Sequence, residues 1–297
     1  MTTSSANTTV PDKLLPLLRP WTWIHKIPSL VLRETVELAG EAWRNRVILR
    51  ATALVEFRRT YAANILGWLW APLYSLLFLA MYGFVFLFVF PASYVEFTQY
   101  EYMVFIFCGL VPYFGFADAL NSATGSVRAN IGLIQNTVFP AELIPLRQLL
   151  VSSIGLSMSL GILVVLVLPT DFLGWHMLYL PVSFLLLLLA SLGLAWLMSG
   201  IAALVPDVSH LVQLVTLGLL FTSPIAYQLS AVVGRPALVV AYANPLTYLI
   251  ESFRFSILGI RDTPLWTDAV VAGVALPMAA LSGAFFKRLK PLFADHE

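Results

Sequence analysis

Residues 65–90 read ILGWLWAPLYSLLFLAMYGFVFLFVF and contain no charged residue. A helix needs about 20 apolar residues to cross the hydrocarbon core of a bilayer. The run is therefore predicted to be a membrane-spanning helix. No long apolar run precedes it, so we expect no cleavable signal peptide, and this span itself acts as the insertion signal.

The composition of the whole chain agrees with a membrane protein. Of its 297 residues, 59% are hydrophobic and only 11% are charged, whereas a soluble domain carries roughly 25% charged residues. Five further runs are candidate crossings: 102–124, 148–168, 179–205, 211–229 and 269–286. The predicted fold class is an all-α integral membrane protein with six transmembrane helices in residues 60–290.

The residues before the first span divide into two parts. Residues 1–28 contain Ser, Thr and Pro and are predicted to be a flexible cytoplasmic tail. Residues 29–59 place Val36, Trp43, Val47 and Leu54 on one helical face and charged residues elsewhere. A helix of this kind lies in the membrane interface. The alternative is a helix packed on a soluble domain, for which the chain leaves no room.

Residues 236–260, within a segment 230–262, have a different pattern from the spans. Their apolar run is short, and Asn244-Pro245 interrupts it, since proline removes a donor and disfavours helix just before itself. Freed backbone at membrane depth must be covered by protein or water. We predict a re-entrant pair of half-helices; the alternative is a seventh crossing.

The distribution of basic residues favours six crossings. Lys and Arg concentrate on the cytoplasmic side. Six crossings with both termini inside place all but Arg235, Arg254 and Arg261 of the 17 basic residues there, whereas a seventh would move Lys287, Arg288 and Lys290 outward. Residues 291–297 are then a second cytoplasmic tail.

Catalytic and nucleotide-binding motifs are not found. A phosphate-binding loop needs a lysine after glycine, and none of the four lysines follows one. There is no GxSxG or HExxH motif, the four His are scattered, and Cys108 lies in an apolar run. We expect no catalytic residue, no metal and no cofactor in this chain. Its net charge of +1 argues against a nucleic-acid partner.

Few ionisable groups lie within the predicted spans, where an ion-coupled transporter would need them. Asp118 is interpreted as an interface residue, with a proton relay as the alternative. Glu251 and Arg254 are spaced to form a helical ion pair. The energy source is therefore predicted to lie outside this polypeptide.

Two apolar patterns are candidate functional surfaces. Trp70, Tyr74, Phe78 and Tyr82 recur every four residues along one helix face, where aromatic rings suit sugars; ordinary helix packing is the alternative. The predicted cytoplasmic loop 128–145 is too apolar to be solvated. It either binds a partner or packs under the spans.

The chain resembles the membrane subunits of type-2 ABC exporters, specifically the Wzm-type O-antigen permeases and their capsule and teichoic-acid relatives. The matching stretches are FRRTYAANILGWLWAPL (57–73), NIGLIQNTVFPAELIPL (130–146), SPIAY (223–227) and YANPLTYLIESFRFSILG (242–259). This resemblance implies a homodimer in the bacterial inner membrane, in contact with membrane lipid. It also implies two copies of a cytoplasmic ATPase that bind ATP and Mg, and a polyprenyl-diphosphate-linked glycan as substrate.

The resemblance also implies roles for individual residues. The channel is lined by Trp70, Tyr74, Phe78 and Tyr82. The residues that would contact the ATPase are Ile131, Asn136, Phe139, Pro140 and Glu142. The outer gate contains Asn244, Pro245, Glu251 and Arg254. Arg58 and Arg59 would contact the diphosphate of the carrier lipid. The alternative is that these two arginines only anchor the chain at the cytoplasmic membrane surface.

Two other functions remain open at this point. One is a type-2 exporter of a small molecule, a drug or teichoic acid. The other is a polytopic enzyme acting on polyprenyl lipids, which would need paired carboxylates or His at the membrane surface.

Overall fold

A computed structural model describes residues 27–62, 65–89, 97–132 and 140–294, and within these ranges the chain forms helices and turns but no strand. This confirms the predicted all-α class. The α-helices are α1 (Ile27–Arg44), α2 (Arg46–Ala62), α3 (Trp70–Phe84), α4 (Gln99–Ala129), α5 (Leu143–Val167), α6 (Leu180–Leu204), α7 (Val208–Thr222), α8 (Pro236–Ala243), α9 (Pro245–Leu258) and α10 (Trp266–Ala294).

Five helical stretches are long and apolar enough to cross a membrane, by length and composition. They are Gly67–Phe84, Gln99–Ala129, Leu143–Val167, Trp175–Leu204 and Trp266–Lys290. Each corresponds to a predicted span. The count of six stays a prediction, because α7 has only 15 residues, or roughly 22 Å of helix against a core of about 30 Å.

The predicted fifth crossing, 211–229, extends too far at its C-terminal end. Helix α7 stops at Thr222, and Ser223 is extended with ψ of 145°. Pro224 explains the stop, because the residue before a proline is pushed away from helical dihedrals. Residues 223–228 consequently run as an irregular segment.

The central element of the bundle is α4. Its first turn is held by a capping box, in which Glu101 N donates to Thr98 Oγ1 at 3.2 Å and Thr98 N donates to Glu101 Oε2 at 2.8 Å. Most of its side chains from Tyr102 onward are buried. It packs against α3, α5, α6, α7 and α9, and so connects all parts of the site described below.

Helices α6 and α10 pack closely because Gly193 lacks a side chain. A Cβ at this position would lie 3.0 Å from Ala279 N and 3.2 Å from Ala279 Cα. Small residues let helix backbones approach in this way inside membranes.

Replacing Gly193 with leucine is expected to destabilise the protein by about 1–3 kcal/mol, because backbone of α10 must shift to make room. Gly273 on α10 is a matched control, since nothing lies within 4 Å of its Cβ position. Thermal unfolding in detergent measures both variants. Equal midpoints for Gly193→Leu and Gly273→Leu would contradict this account of the contact.

The predicted helix 29–59 is divided in the structure. Asn45 separates α1 from α2, and its side-chain amide donates to the carbonyl of Glu41 at 2.9 Å, a bond that competes with regular helix. The predicted apolar stripe is exposed at Val36, Trp43 and Val47. These side chains are available to the membrane interface.

The other side of α1 packs on the last part of α10. Leu38 is buried there over Gly283. The Lys287 ammonium lies 3.5–3.8 Å from the carboxylates of Glu34, Glu37 and Glu41. At Glu37 the hydrogen bond from Arg33 holds the pKa of the carboxyl below its ordinary value.

Candidate functional site

Helices α3, α4, α5 and α7 line a half-open cavity of about 530 Å³. This volume lies in the range of small-molecule sites, roughly 300–1,000 Å³. Helix α3 contributes residues from its first turns, whereas α4, α5 and α7 contribute residues from their middle parts, so the cavity lies partway along the bundle. We call it the central cavity.

One part of the central cavity is aromatic. Trp70, Tyr74 and Phe78 of the predicted stripe line it, together with Tyr113 and Phe114 of α4. The Tyr74 ring centroid is 5.0 Å from that of Phe78 and 5.3 Å from that of Phe114. Tyr74 is nevertheless 52% exposed, so much of its surface is free for a ligand.

The fourth member of the stripe lies elsewhere. Tyr82 is half-buried, and its ring centroid is 5.8 Å from that of Phe86. It does not belong to the lining of the central cavity. The four-residue repeat continues past the point where the cavity ends.

The rest of the lining consists of small or aliphatic residues and a polar group, and sequence reasoning missed this group apart from Asp118. This group comprises Ser75, Asp118, Asn121, Ser152, Ser159, Gln213 and Thr216. Ser75 and Ser159 form a hydrogen bond of 3.3 Å between α3 and α5. Asp118 is exposed and accepts a hydrogen bond from Ser122 at 3.3 Å. Aromatic and polar walls together suit a ligand with both C–H faces and hydroxyl groups.

Thr216 fixes α7 against α4 beside this polar wall. Its carbonyl accepts a hydrogen bond from Tyr113 Oη at 3.0 Å, and its hydroxyl accepts one from Asn121 Nδ2 at 3.2 Å. Both bonds connect the middle of α7 to α4. The relative position of these two lining helices is therefore determined by polar contacts.

At the end of the bundle away from α1 and α2, Glu251 and Arg254 form the predicted ion pair. Arg254 Nη1 lies 3.1 Å from Glu251 Oε1. The Arg254 side chain is 1% exposed and the Glu251 side chain 2% exposed. Arg254 Nη2 also donates to the Ile225 carbonyl at 2.8 Å, and the guanidinium carbon lies 3.8 Å from the Phe105 ring centroid. The pair therefore holds the irregular segment 223–228 and α9 against α4.

The predicted break at Asn244-Pro245 separates α8 from α9, and it is also the start of α9. Asn244 Oδ1 accepts a hydrogen bond from Leu246 N at 2.9 Å, and Pro245 occupies the first helical position. Asn244 Nδ2 donates to Ser223 Oγ at 2.9 Å and to Thr222 Oγ1 at 3.2 Å. One side chain thus caps α9 and ties it to the end of α7.

Two substitutions at Asn244 separate these two contacts. Asn244→Asp keeps the capping oxygen and loses the donors to Ser223 and Thr222, whereas Asn244→Ala loses both. We expect Asn244→Ala to be less stable than Asn244→Asp by about 1 kcal/mol, the usual value of an N-cap. Thermal unfolding in detergent gives the comparison, and equal stability of the two variants would contradict a capping role.

A second charged cluster at this end was not predicted. Arg261 Nη2 lies 2.7 Å from Asp268 Oδ1 and Arg261 Nη1 lies 2.9 Å from Asp268 Oδ2. Tyr179 Oη and Ser252 Oγ also donate to Asp268 Oδ2. A lone acidic residue at the edge of an apolar run, just before the predicted span 269–286, was the only signal in the sequence.

The predicted coupling segment is partly described. Ile131 and Pro140 are half-buried, while Asn136 and Phe139 lie outside the described residues. Glu142 is 7% exposed, and its carboxylate lies 3.3 Å from Lys290 Nζ. The Glu142 side chain is therefore directed towards α10 within the chain.

The two ends of this segment are joined by Arg147. Its Nη2 donates to Asn130 Oδ1 at 3.1 Å and lies 3.8 Å from Glu56 Oε2. The end of α4, the start of α5 and α2 therefore meet at one polar cluster. Arg58 and Arg59 follow on α2 and are exposed.

Five long apolar helices, with no strand among the described residues, indicate a multi-pass membrane protein. The chain belongs to the ABC-2 type transporter family, whose model matches residues 49–258. The match covers α2 to α9, and so contains both the central cavity and the Asn244–Arg254 region.

Individual relatives match over most of the chain. The O-antigen export system permease protein RfbA of Myxococcus xanthus is 23% identical over 266 residues, 88% of this chain and 99% of the relative. An RfbA of Klebsiella pneumoniae is 26% identical over 239 residues, covering 79% and 89%. The polysialic acid transport protein KpsM of Escherichia coli is 24% identical over 221 residues, covering 72% and 82%.

Proposed function

We propose that this chain is the transmembrane subunit of an ATP-driven exporter that moves a lipid-linked polysaccharide across the bacterial inner membrane. The names of its relatives support polysaccharide export, and the family supports a transport role. The chain would contain no ATPase site and no cofactor of its own. ATP and Mg would bind to a separate subunit.

The observation that carries this proposal is the mixed lining of the central cavity. A sugar presents C–H faces, which pack on aromatic rings, and hydroxyl groups, which need hydrogen-bond partners. The cavity has Tyr74 and Phe78 for the first, and the exposed side chains of Asp118 and Gln213 for the second. A drug exporter of the same family would need few buried polar groups, so the polar wall favours a glycan.

The working unit would be a homodimer with two ATPase subunits. Each ATPase would bind the segment 128–145 on the cytoplasmic side of the membrane. Both termini of this chain would lie on that side too. The Glu142–Lys290 and Arg147–Glu56 contacts support a coupling role, because they connect this segment to α10 and α2. The segment also lies between α4 and α5, so a push on it would reach two helices that line the cavity.

Polar groups near the two membrane surfaces would act where the glycan enters and leaves the transporter. Arg58 and Arg59 are exposed close to the start of α3 and would bind the diphosphate of the carrier lipid, since guanidinium groups bind phosphate oxygens bidentately. Asn244, Pro245, Glu251 and Arg254 would form the outer gate.

Reconstitution tests the proposal. The purified chain in proteoliposomes should hydrolyse no ATP and move no glycan, and both activities should appear when the ATPase encoded with it is added. An ATPase variant that binds but does not hydrolyse ATP is the control. Hydrolysis by the chain alone, or transport without the ATPase, would overturn the proposed function.

A further inference from the structure

Asp118 on α4 is the only residue with a charged side chain among the described residues that line the central cavity. The residue is exposed, and its Oδ1 accepts a hydrogen bond from Ser122 Oγ at 3.3 Å. None of the ion pairs among the described residues includes Asp118. An ionised carboxylate has about four acceptor positions, so Asp118 can accept further hydrogen bonds from a ligand in the cavity.

Phe114 and Asn121 place Asp118 between the aromatic and the polar parts of the lining. Phe114 comes one turn before Asp118 and Asn121 comes nearly one turn after it, so the three side chains lie along one face of α4. The Phe114 ring centroid is 5.3 Å from that of Tyr74 on α3, and Asn121 donates to Thr216 on α7. Asp118 therefore lies between α3 and α7, on the side of α4 that faces the cavity.

The Trp70 ring of α3 lies at about the same level of the cavity as Asp118. Helices α3 and α4 run antiparallel, because the start of α4 lies against the end of α3 at Gly83, and Phe114 lies against Tyr74. Trp70 comes one turn before Tyr74, and Asp118 comes one turn after Phe114. Trp70 also lines the cavity and is exposed. An exposed carboxylate and an exposed aromatic surface are thus available to one ligand.

A carboxylate beside an exposed aromatic ring is suited to a sugar and is sensitive to the charge of that sugar. The ring packs on C–H groups, and the carboxylate accepts from hydroxyl or amino groups in hydrogen bonds about twice as strong as neutral ones. The same negative charge repels a carboxylate or phosphate on the ligand. We propose that Asp118 makes the central cavity selective for glycans of neutral or amino sugars and against acidic glycans.

This selection rests on the proposed function and narrows its substrate. The carrier lipid has one diphosphate for the whole polymer, which Arg58 and Arg59 would bind outside the cavity lining, whereas every repeat unit would pass Asp118. The selection therefore acts on the repeat unit. The two interpretations of Asp118 from the sequence, an interface residue and a proton relay, predict no preference for the charge of a sugar.

Two hexamers with the same β-1,4-linked backbone test the selection. Cellohexaose is neutral, whereas the hexamer of glucuronic acid has a carboxylate on every ring. Their binding is measured on the complete transporter, with its ATPase, in nanodiscs at low salt. We expect the wild type to bind cellohexaose about tenfold more tightly, because like charges repel each other near a protein surface. High salt should reduce this ratio, because it screens the exposed charges.

Substitutions at Asp118 show whether its carboxylate is the cause. Asp118→Asn keeps the size of the side chain and removes the charge, so the ratio of the two affinities should fall to about twofold or less. Asp118→Ser is a second neutral variant and should do the same, whereas Asp118→Glu should retain the ratio. Asp171→Asn is the matched control, because Asp171 is also exposed but does not line the cavity. It should leave the ratio unchanged.

Equal affinity of the wild type for the two hexamers, or binding of neither, would overturn the selection. An unchanged ratio in both Asp118→Asn and Asp118→Ser would overturn it too. A second measurement separates these results from the proposed function. Deleting the gene in its host should retain a polysaccharide inside the cell, and the repeat unit of that polymer should contain no uronic acid, sialic acid or phosphate.

An acidic repeat unit in the retained polymer would overturn the selection by Asp118 and leave the exporter standing. Surface polysaccharide that is unchanged by the deletion would overturn the proposed function itself.

Discussion

Truncating Tyr74 to alanine is expected to lower glycan export about tenfold while the transporter still assembles. The ring contacts Phe78 and Phe114, Tyr74 lines the central cavity, and about half of the residue is exposed. Aromatic contacts of this kind are worth about 0.5–1.5 kcal/mol each, and 1.4 kcal/mol corresponds to a factor of ten in rate. The rate at which labelled glycan reaches the cell surface measures the effect.

Tyr82→Ala is the matched control for this prediction. Tyr82 has the same side chain on the same helix, two turns further along, but lies outside the cavity lining. Its truncation should change export by less than about twofold. If the two variants export equally slowly, the aromatic stripe acts through helix packing and the cavity is not the path.

Replacing Arg254 with methionine is expected to destabilise the protein by about 3–5 kcal/mol, the largest effect of any single change considered. The substitution leaves Glu251 as an unpaired buried charge. It also removes the donors to the carbonyls of Ile225 and Tyr227. Thermal unfolding in detergent, and the fraction of protein recovered from the membrane in folded form, measure the loss.

Two further variants test the cause. Arg235→Met removes an exposed arginine from the segment 230–262 and should have little effect on stability. Adding Glu251→Gln to Arg254→Met neutralises the remaining charge and should restore part of the stability. A double variant that is as unstable as Arg254→Met alone would show that the loss comes from the missing contacts with Phe105 and the two carbonyls, and not from the buried charge.

Helix positions were largely predictable because a membrane span depends on a local property, the length of an apolar run. The break at Asn244-Pro245 and the pair Glu251–Arg254 were predictable for the same reason, since each involves residues close in sequence. The end of α7 was missed although its signal is local. Pro224 was read as part of an apolar run, when its effect on Ser223 should have ended the helix there.

The polar wall of the central cavity could not be derived from the sequence. Asn121, Ser152 and Thr216 come from three helices, and single small polar residues within apolar spans have no periodic pattern. Asp268 and Arg261 likewise meet only through the fold. The aromatic stripe was visible because its members share one helix, but its limit at Phe78 depends on where neighbouring helices close the cavity.

The Arg147 cluster gives the subunit a stiff joint at the surface near α1 and α2. Because Asn130 and Glu56 both contact one guanidinium, the last turn of α4 cannot separate from the first turn of α5 without breaking these contacts. Force applied between them would therefore act on both helices together. In the proposed exporter, a push from the ATPase on this joint would move the cavity walls formed by α4 and α5.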